Sequence, residues 1–243
     1  MPPKPRFQSV WTREPAPAKR VRDQPALSRD QIVREAMALL DQEGMDALSM
    51  RKLGARLGSG ATSLYWHVAN KDELLELVLD QVYAEAWTGG LAADGWRDTV
   101  AVLAYGLRGA MLKHPWVVTL IGSMPSLGPN AMAAVDTLVR TLSTAGFSPE
   151  ELDYAVAAVM SYTIGATTPE ASWINSRGRQ EYGMDDWVES MKPQVRVAAA
   201  AYPELLARFE AHAPDDLDRS RQLSFDFGLM ALLDGLDARL HGR

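Results

Sequence analysis

Cysteine is absent from this chain of 243 residues. Its absence excludes a disulfide framework, a thiol nucleophile and a thiolate metal site, and it fits a protein made for a reducing cytoplasm. Histidine is scarce: His67, His114, His212 and His241 stand far apart, without clustered carboxylates, and no glycine-rich phosphate loop is present. The usual residue sets for hydrolysis, metal-assisted chemistry and phosphoryl transfer are therefore missing, so the expectation is a non-enzyme with no metal and no cofactor. No apolar run approaches a membrane span, and the charged, Pro-rich N-terminus lacks the apolar centre of a signal peptide. A soluble, cytoplasmic protein without a membrane partner is expected. Alternating strand patterns are also absent. Every periodic segment has helical spacing, which points to an all-α fold.

The net charge of −6 conceals an asymmetry. Residues 1–71 hold 12 Lys and Arg against 7 Asp and Glu, which leaves 13 against 24 in the remainder. An acidic total thus coexists with a basic N-terminal part, and attraction to phosphates depends on local charge.

Within that part, residues 1–26 carry Pro2, Pro3, Pro5, Pro15, Pro17 and Pro25 among basic side chains and read as a disordered arm. Lys19, Arg20 and Arg22 either reach along a DNA groove or belong to a solvated tail. A first helix starts at the capping box Ser28-x-x-Gln31, runs through Ile32, Ala36, Leu39 and Leu40, and stops at Gly44. Ser49 caps a second, carrying Met50, Leu53 and Leu57 on one face, and Gly58-Ser59-Gly60 forms a turn. A third runs from about 61 to 68. It is too short to stand alone, so Leu64 and Val68 must dock while Thr62, Ser63, Tyr65, Trp66 and His67 stay on the free face. Two short helices joined by a glycine turn have the layout of a DNA-reading helix-turn-helix. A fourth helix leads from Asn70 toward Trp87. Further helices are expected at about 96–113, 115–122, 129–145 and 149–167, then a long loop at 168–190, and helices at about 191–212 and 215–240.

The run Leu64-Tyr65-Trp66-His67-Val68 with Asn70-Lys71, preceded by Arg51-Lys52-Leu53 and Leu57-Gly58, resembles the DNA-binding domain of the TetR family of bacterial repressors. Trp96, His114, Gly146-Phe147 and Phe227-Gly228-Leu229 extend the resemblance to a tetracycline-repressor type of C-terminal domain. It implies an N-terminal three-helix head at 27–71 joined to a larger helical ligand-binding and dimerisation domain at 72–243. It also implies a homodimer that binds double-stranded operator DNA. By position, Arg51, Ala61, Thr62, Ser63, Trp66 and His67 would face the major groove, with Tyr65 and Lys71 on phosphates; Trp66 and His67 can instead pack between helices, the reading favoured for Trp66. Ala61 and Thr62 stand where tetracycline repressors place glutamine and proline, so the operator should differ.

The pocket positions differ as well. Trp87 and Ile121 replace histidines, Leu103 and Leu138 replace side-chain amides, and Leu107 replaces an aromatic residue. With Met124 these six would line an apolar, metal-free site for a bulky apolar or aromatic effector. The function expected is a ligand-responsive repressor; the alternatives are a DNA-binding regulator without a pocket and, less favoured, a helical enzyme. The last helix is apolar around too much of its circumference for a surface helix, and Gly228 and Gly235 mark a face open to close approach. Paired with the helix of Tyr154 and Val156, it suits half of an intersubunit four-helix bundle.

Overall fold

The computed structural model describes residues 9–12, 27–87, 95–177, 184–211 and 217–242. Among them there are α-helices and short 3₁₀ turns but no β-strand, so the fold is all-α. In the head, α1 (Arg29–Glu43) begins at the expected capping box. Ser28 Oγ accepts the Gln31 amide at 3.1 Å, and Gln31 Oε1 accepts the Ser28 amide at 2.9 Å. Ile32, Ala36, Leu39 and Leu40 are buried, and Gly44 ends the helix at φ 77°, where a side chain would be strained. Helices α2 (Met50–Arg56), α3 (Ala61–Leu64) and α4 (Lys71–Ala86) follow.

The body comprises α5 (Trp96–Lys113), α6 (Pro129–Ala145), α7 (Pro149–Arg177), α8 (Met184–Ala199), α9 (Pro203–Ala211) and α10 (Leu217–His241). One core joins α1, α2, α3 and α4 to Leu107 and Met111 of α5 and to Trp116 and Val117. A second gathers Val100, Leu103 and Ala104 of α5, Leu138 and Leu142 of α6, Val159 of α7 and Phe225, Leu229, Leu233 and Leu236 of α10.

Helix α4 binds these parts together through buried carboxylates that all have partners. Glu73 Oε2 accepts the Ala69 amide at 2.8 Å, while Asn70 Oδ1 accepts the Glu73 amide at 2.9 Å, closing the helix start reciprocally. Asp80 accepts the Asn130 and Ala131 amides at 3.1 and 3.0 Å and so caps α6, whose own first flanking residue, Gly128, has no side chain to do it. Any Cβ at Gly128 would overlap the Asp80 carboxylate, which explains the glycine.

Four sequence expectations change. Residues 9–12 form a packed turn rather than disordered chain: Val10 joins the first core and the Ser9 hydroxyl donates to buried Glu76. Apolar Val10 and Trp11 supply burial that the surrounding prolines do not. Lys19, Arg20 and Arg22 lie outside the described residues. The third helix is shorter than 61–68; after Leu64 the chain turns, with the His67 and Val68 amides both bonded to the Leu64 carbonyl. The loop expected at 168–190 is mostly helix, since α7 continues to Arg177 and α8 begins at Met184. Pro169 is tolerated because it and Gly165, whose carbonyl it deprives of a donor, are both exposed to water. Finally, 191–212 is divided by Pro203, which starts α9 and disfavours helical geometry at Tyr202.

Candidate nucleic-acid interface and effector pocket

The helix-turn-helix is built from α2 and α3. Ser49 Oγ accepts the Lys52 amide at 3.2 Å and starts α2. The turn closes at Gly58, φ 62°, and the Ser59 amide returns to the Gly54 carbonyl at 2.9 Å. Gly54 is the second requirement. A Cβ there would lie 2.9 Å from the Ser59 carbonyl oxygen and 3.1 Å from the Ala61 amide nitrogen, so only glycine lets the helices meet this closely. Leu64 and Val68 are fully buried, which fixes the roll of α3.

That roll decides what is presented. Trp66 is 72% exposed and Tyr65 is 51% exposed, with Thr62 also exposed and Ala61, Ser63 and His67 half-buried. Packing between helices therefore does not account for Trp66. Arg51 is exposed and makes no ion pair among the described residues, whereas Lys52 pairs with Glu43 and Arg56 with Glu35. Arg56 also donates to Gln42 at 2.8 Å, so these two cations fasten α2 to α1. Burial and then the nearby Arg29 guanidinium hold the His67 imidazole below its ordinary pKa. It is neutral at pH 7 and brings hydrogen bonding rather than charge. Lys71 opens α4, where the Lys71 and Asp72 amides have no intrahelical acceptor, next to a cationic side chain.

The six residues named for the pocket are only partly gathered. Trp87 sits at the end of α4, stacks on Tyr83 at 5.6 Å and donates its indole N–H to the Leu103 carbonyl at 3.3 Å. Leu107, Ile121 and Met124 belong with the first core, and Leu103 and Leu138 with the second; Trp87 packs against both. Leu103, Leu107 and Leu138 are buried. A cavity of about 380 Å³ lies elsewhere, between α7 and α10, lined by Phe147, Tyr154, Ala158, Leu232, Gly235 and Arg239 among others.

Residues 32–78 match the family of bacterial regulatory proteins named tetR, and residues 89–240 match the tetracyclin repressor-like C-terminal domain. The chain belongs to the TetR family. An HTH-type transcriptional regulator of Saccharopolyspora erythraea is 38% identical over 95% of this chain and 92% of its own length. The HTH-type transcriptional repressor DrrR1 of Streptomyces coeruleorubidus is 32% identical over 88% of this chain and 78% of its own. Among solved structures, the TetR family protein ActR of Streptomyces coelicolor in complex with actinorhodin has a TM-score of 0.72 at 28% identity, covering 88% of this chain and 97% of that one.

In this TetR-family regulator, head and body meet at a polar junction that the sequence does not reveal. His114, buried just beyond α5, places Nδ1 2.7 Å from Asp41 Oδ1 of α1 and Nε2 3.0 Å from Glu85 Oε2 of α4. Trp116 Nε1 donates to the same Asp41 oxygen at 2.6 Å, and Lys113 pairs with Glu85 at 2.5 Å. Burial opposes the imidazolium, but the hydrogen bonds and charges of Asp41 and Glu85 outweigh it and raise the His114 pKa. Burial likewise pushes the Glu85 carboxyl up, and the Lys113 and His114 bonds more than reverse this. Asp41 and His114 are 73 positions apart, so no spacing rule joins them, and the sequence offers His114 only as the end of a helix and a point of family resemblance.

Helix α10 is split by side. Phe225, Leu229, Leu233 and Leu236 fill the second core, whereas Leu223 and Met230 are exposed and Phe227 is 79% exposed. Gly228 serves its own chain: a Cβ would overlap the Tyr162 ring, whose hydroxyl donates to the Phe225 carbonyl at 2.8 Å. Gly235 faces open space.

Proposed function

We propose that this regulator is a repressor that binds a palindromic operator as a homodimer and is released by a bulky apolar or aromatic small molecule without a metal. The observation that carries the DNA-binding part is the solvent-facing set Arg51, Thr62, Tyr65 and Trp66 on a glycine-closed helix-turn-helix, with Leu64 and Val68 anchoring its other side. Arg51 offers a guanidinium for the O6 and N7 of guanine, the Ala61 methyl suits a thymine methyl, and Ser63 and His67 offer neutral hydrogen bonds. Tyr65 and Lys71 are assigned to phosphates, where they would position the head.

A repressor is favoured by the name of DrrR1, and a small-molecule effector by the complex of ActR with actinorhodin; its apolar or aromatic class rests on the residues assigned to the pocket. The homodimer is supported by the outward face of α10, which leaves Phe227, Leu223 and Met230 to water in a single chain. Phe227→Glu is expected to halve the mass measured by light scattering while circular dichroism stays helical. A wild-type chain that runs as a monomer at micromolar concentration contradicts the dimer.

A regulator without an effector is the second reading, favoured by the burial of Leu103, Leu107 and Leu138 at the centre of the assigned pocket. Selection of genomic fragments by the pure protein, followed by a screen for compounds that release them, separates the two. An inverted repeat with half-sites about 34 to 36 Å apart, or a multiple of that spacing, is the expected yield. Enrichment no better than random fragments defeats the DNA-binding proposal, and an operator that no compound releases favours the second reading.

A further inference from the structure

Outside the six pocket residues, a polar cluster among the described residues holds two buried N–H groups without acceptors. Arg108 of α5 is 4% exposed; its Nη2 donates to Glu170 of α7 at 2.6 Å, and its guanidinium lies 4.8 Å from the centre of the Phe225 ring. The Nε–H of Arg108 is buried and has no acceptor. Trp173 follows Glu170 by three residues, so it shares that face of α7, and its indole N–H is also buried without an acceptor. The neighbouring polar groups are occupied. Thr167 donates to the Thr163 carbonyl at 2.6 Å, Tyr162 donates to Phe225, and Asp226 accepts from Tyr105 and Gln222, both at 2.8 Å. Burial, with Asp226 alongside, pushes the Tyr105 hydroxyl up to about 12, so no phenolate arises there at neutral pH.

Buried donors are rarely left unpaired in a folded protein, and two of them, one on the partner of Glu170 and one a helical turn along α7 from Glu170, mark a place where something else supplies the acceptor. We propose that Arg108 Nε and Trp173 Nε1 form the polar end of the effector site, and that the effector is a planar aromatic compound with a neutral carbonyl oxygen. This rests on the effector reading above and deepens it. Charge selects the class: Glu170 already neutralises Arg108, so a carboxylate or phenolate would enter a buried site with no counter-charge left for it. A carbonyl oxygen has two lone pairs and no charge to desolvate. A flat apolar wall is present in Trp173 beside Trp187, whose ring centres are 4.5 Å apart.

The matched probes are 9-fluorenone, its hydrocarbon fluorene and fluorenone-4-carboxylate, measured by equilibrium dialysis against the full chain. Wild type should bind fluorenone at least tenfold more tightly than fluorene, and more tightly than the carboxylate. Trp173→Phe keeps the ring and removes only the N–H. It should weaken fluorenone about tenfold, leave fluorene unchanged, and leave the melting temperature of the free protein equal or higher, because an unpaired donor has gone. Arg108→Lys keeps a cation opposite Glu170 and should also weaken fluorenone selectively. A lower melting temperature in Trp173→Phe with fluorenone affinity intact shows a donor satisfied by water, and overturns the assignment while leaving the apolar pocket standing. Tighter binding of the carboxylate overturns the ligand class. Wild type that binds neither fluorenone nor fluorene overturns the assignment and withdraws its support for an aromatic effector as well.

Discussion

Gly106→Ala should destabilise the chain by about 3 kcal/mol or more, although alanine is the better helix former by about 1 kcal/mol. A Cβ at Gly106 would overlap the carbonyl oxygen of Ala86 and come within 3.4 Å of Trp87 Cδ1. The obstacle is backbone, so no rotamer change removes it, and the end of α4 must move away from α5. The same helix contains its own control. Gly109 is exposed and a Cβ there meets nothing within 4 Å, so Gly109→Ala should be neutral or stabilising by up to about 1 kcal/mol. Thermal melting of the pair should separate them by roughly 6 to 16 °C, at about 2 to 4 °C per kcal/mol for a chain of this size. Equal melting temperatures would mean that α4 and α5 do not meet closely at Gly106. The consequence reaches function, since α4 also carries Lys71 at its other end and holds Glu76, Asp80 and Glu85 in place.

His114→Ala is expected to cost about 2 to 3 kcal/mol, because it removes a buried ring that bonds α1 at Asp41 and α4 at Glu85 together. Both carboxylates keep one partner, Trp116 and Lys113 respectively, which is why the loss stops short of a stranded charge. The pH dependence has a definite sign. The folded His114 pKa is raised, so its contribution is complete below the ordinary histidine value of 6.5 and fades as pH rises through the folded value. The folded Glu85 pKa is lowered, so its contribution is complete above 4.5 and fades as pH falls through the folded value. Wild type should therefore lose stability as pH rises above 6.5, and His114→Ala should lose less there. Denaturant titrations at pH 6 and pH 9 give the comparison. Equal pH slopes in the two proteins would show that the imidazole carries no charge in the folded state.

Local signals were the legible ones. Ser28 with Gln31, Ser49, Gly58 and the pair Leu64 and Val68 each specify structure within a few positions, and each does so here. Pro169 misled because the Gly165 carbonyl it strands is open to water, which lowers the cost of a proline inside α7, and exposure is a tertiary property. Ser9 and Val10 misled for the opposite reason: two residues in a proline-rich run find a buried carboxylate and a core from elsewhere in the chain. The face of α3 followed from its period, whereas the distribution of pocket residues over two cores did not, because period fixes a face but not which neighbour it meets. His114 with Asp41 and Arg108 with Glu170 depend on chain crossings that no window contains.

The most direct test is the ratio of affinities for a selected operator and its scrambled counterpart at physiological salt, in wild type and in Arg51→Ala and Trp66→Ala. Both side chains are exposed, so neither variant should move the melting temperature appreciably. Wild type should prefer the operator by about 10³ or more, and each variant should lose about ten- to a hundredfold of that preference. A wild-type ratio near one, or variants that retain the full ratio, would contradict the assignment of this face to DNA.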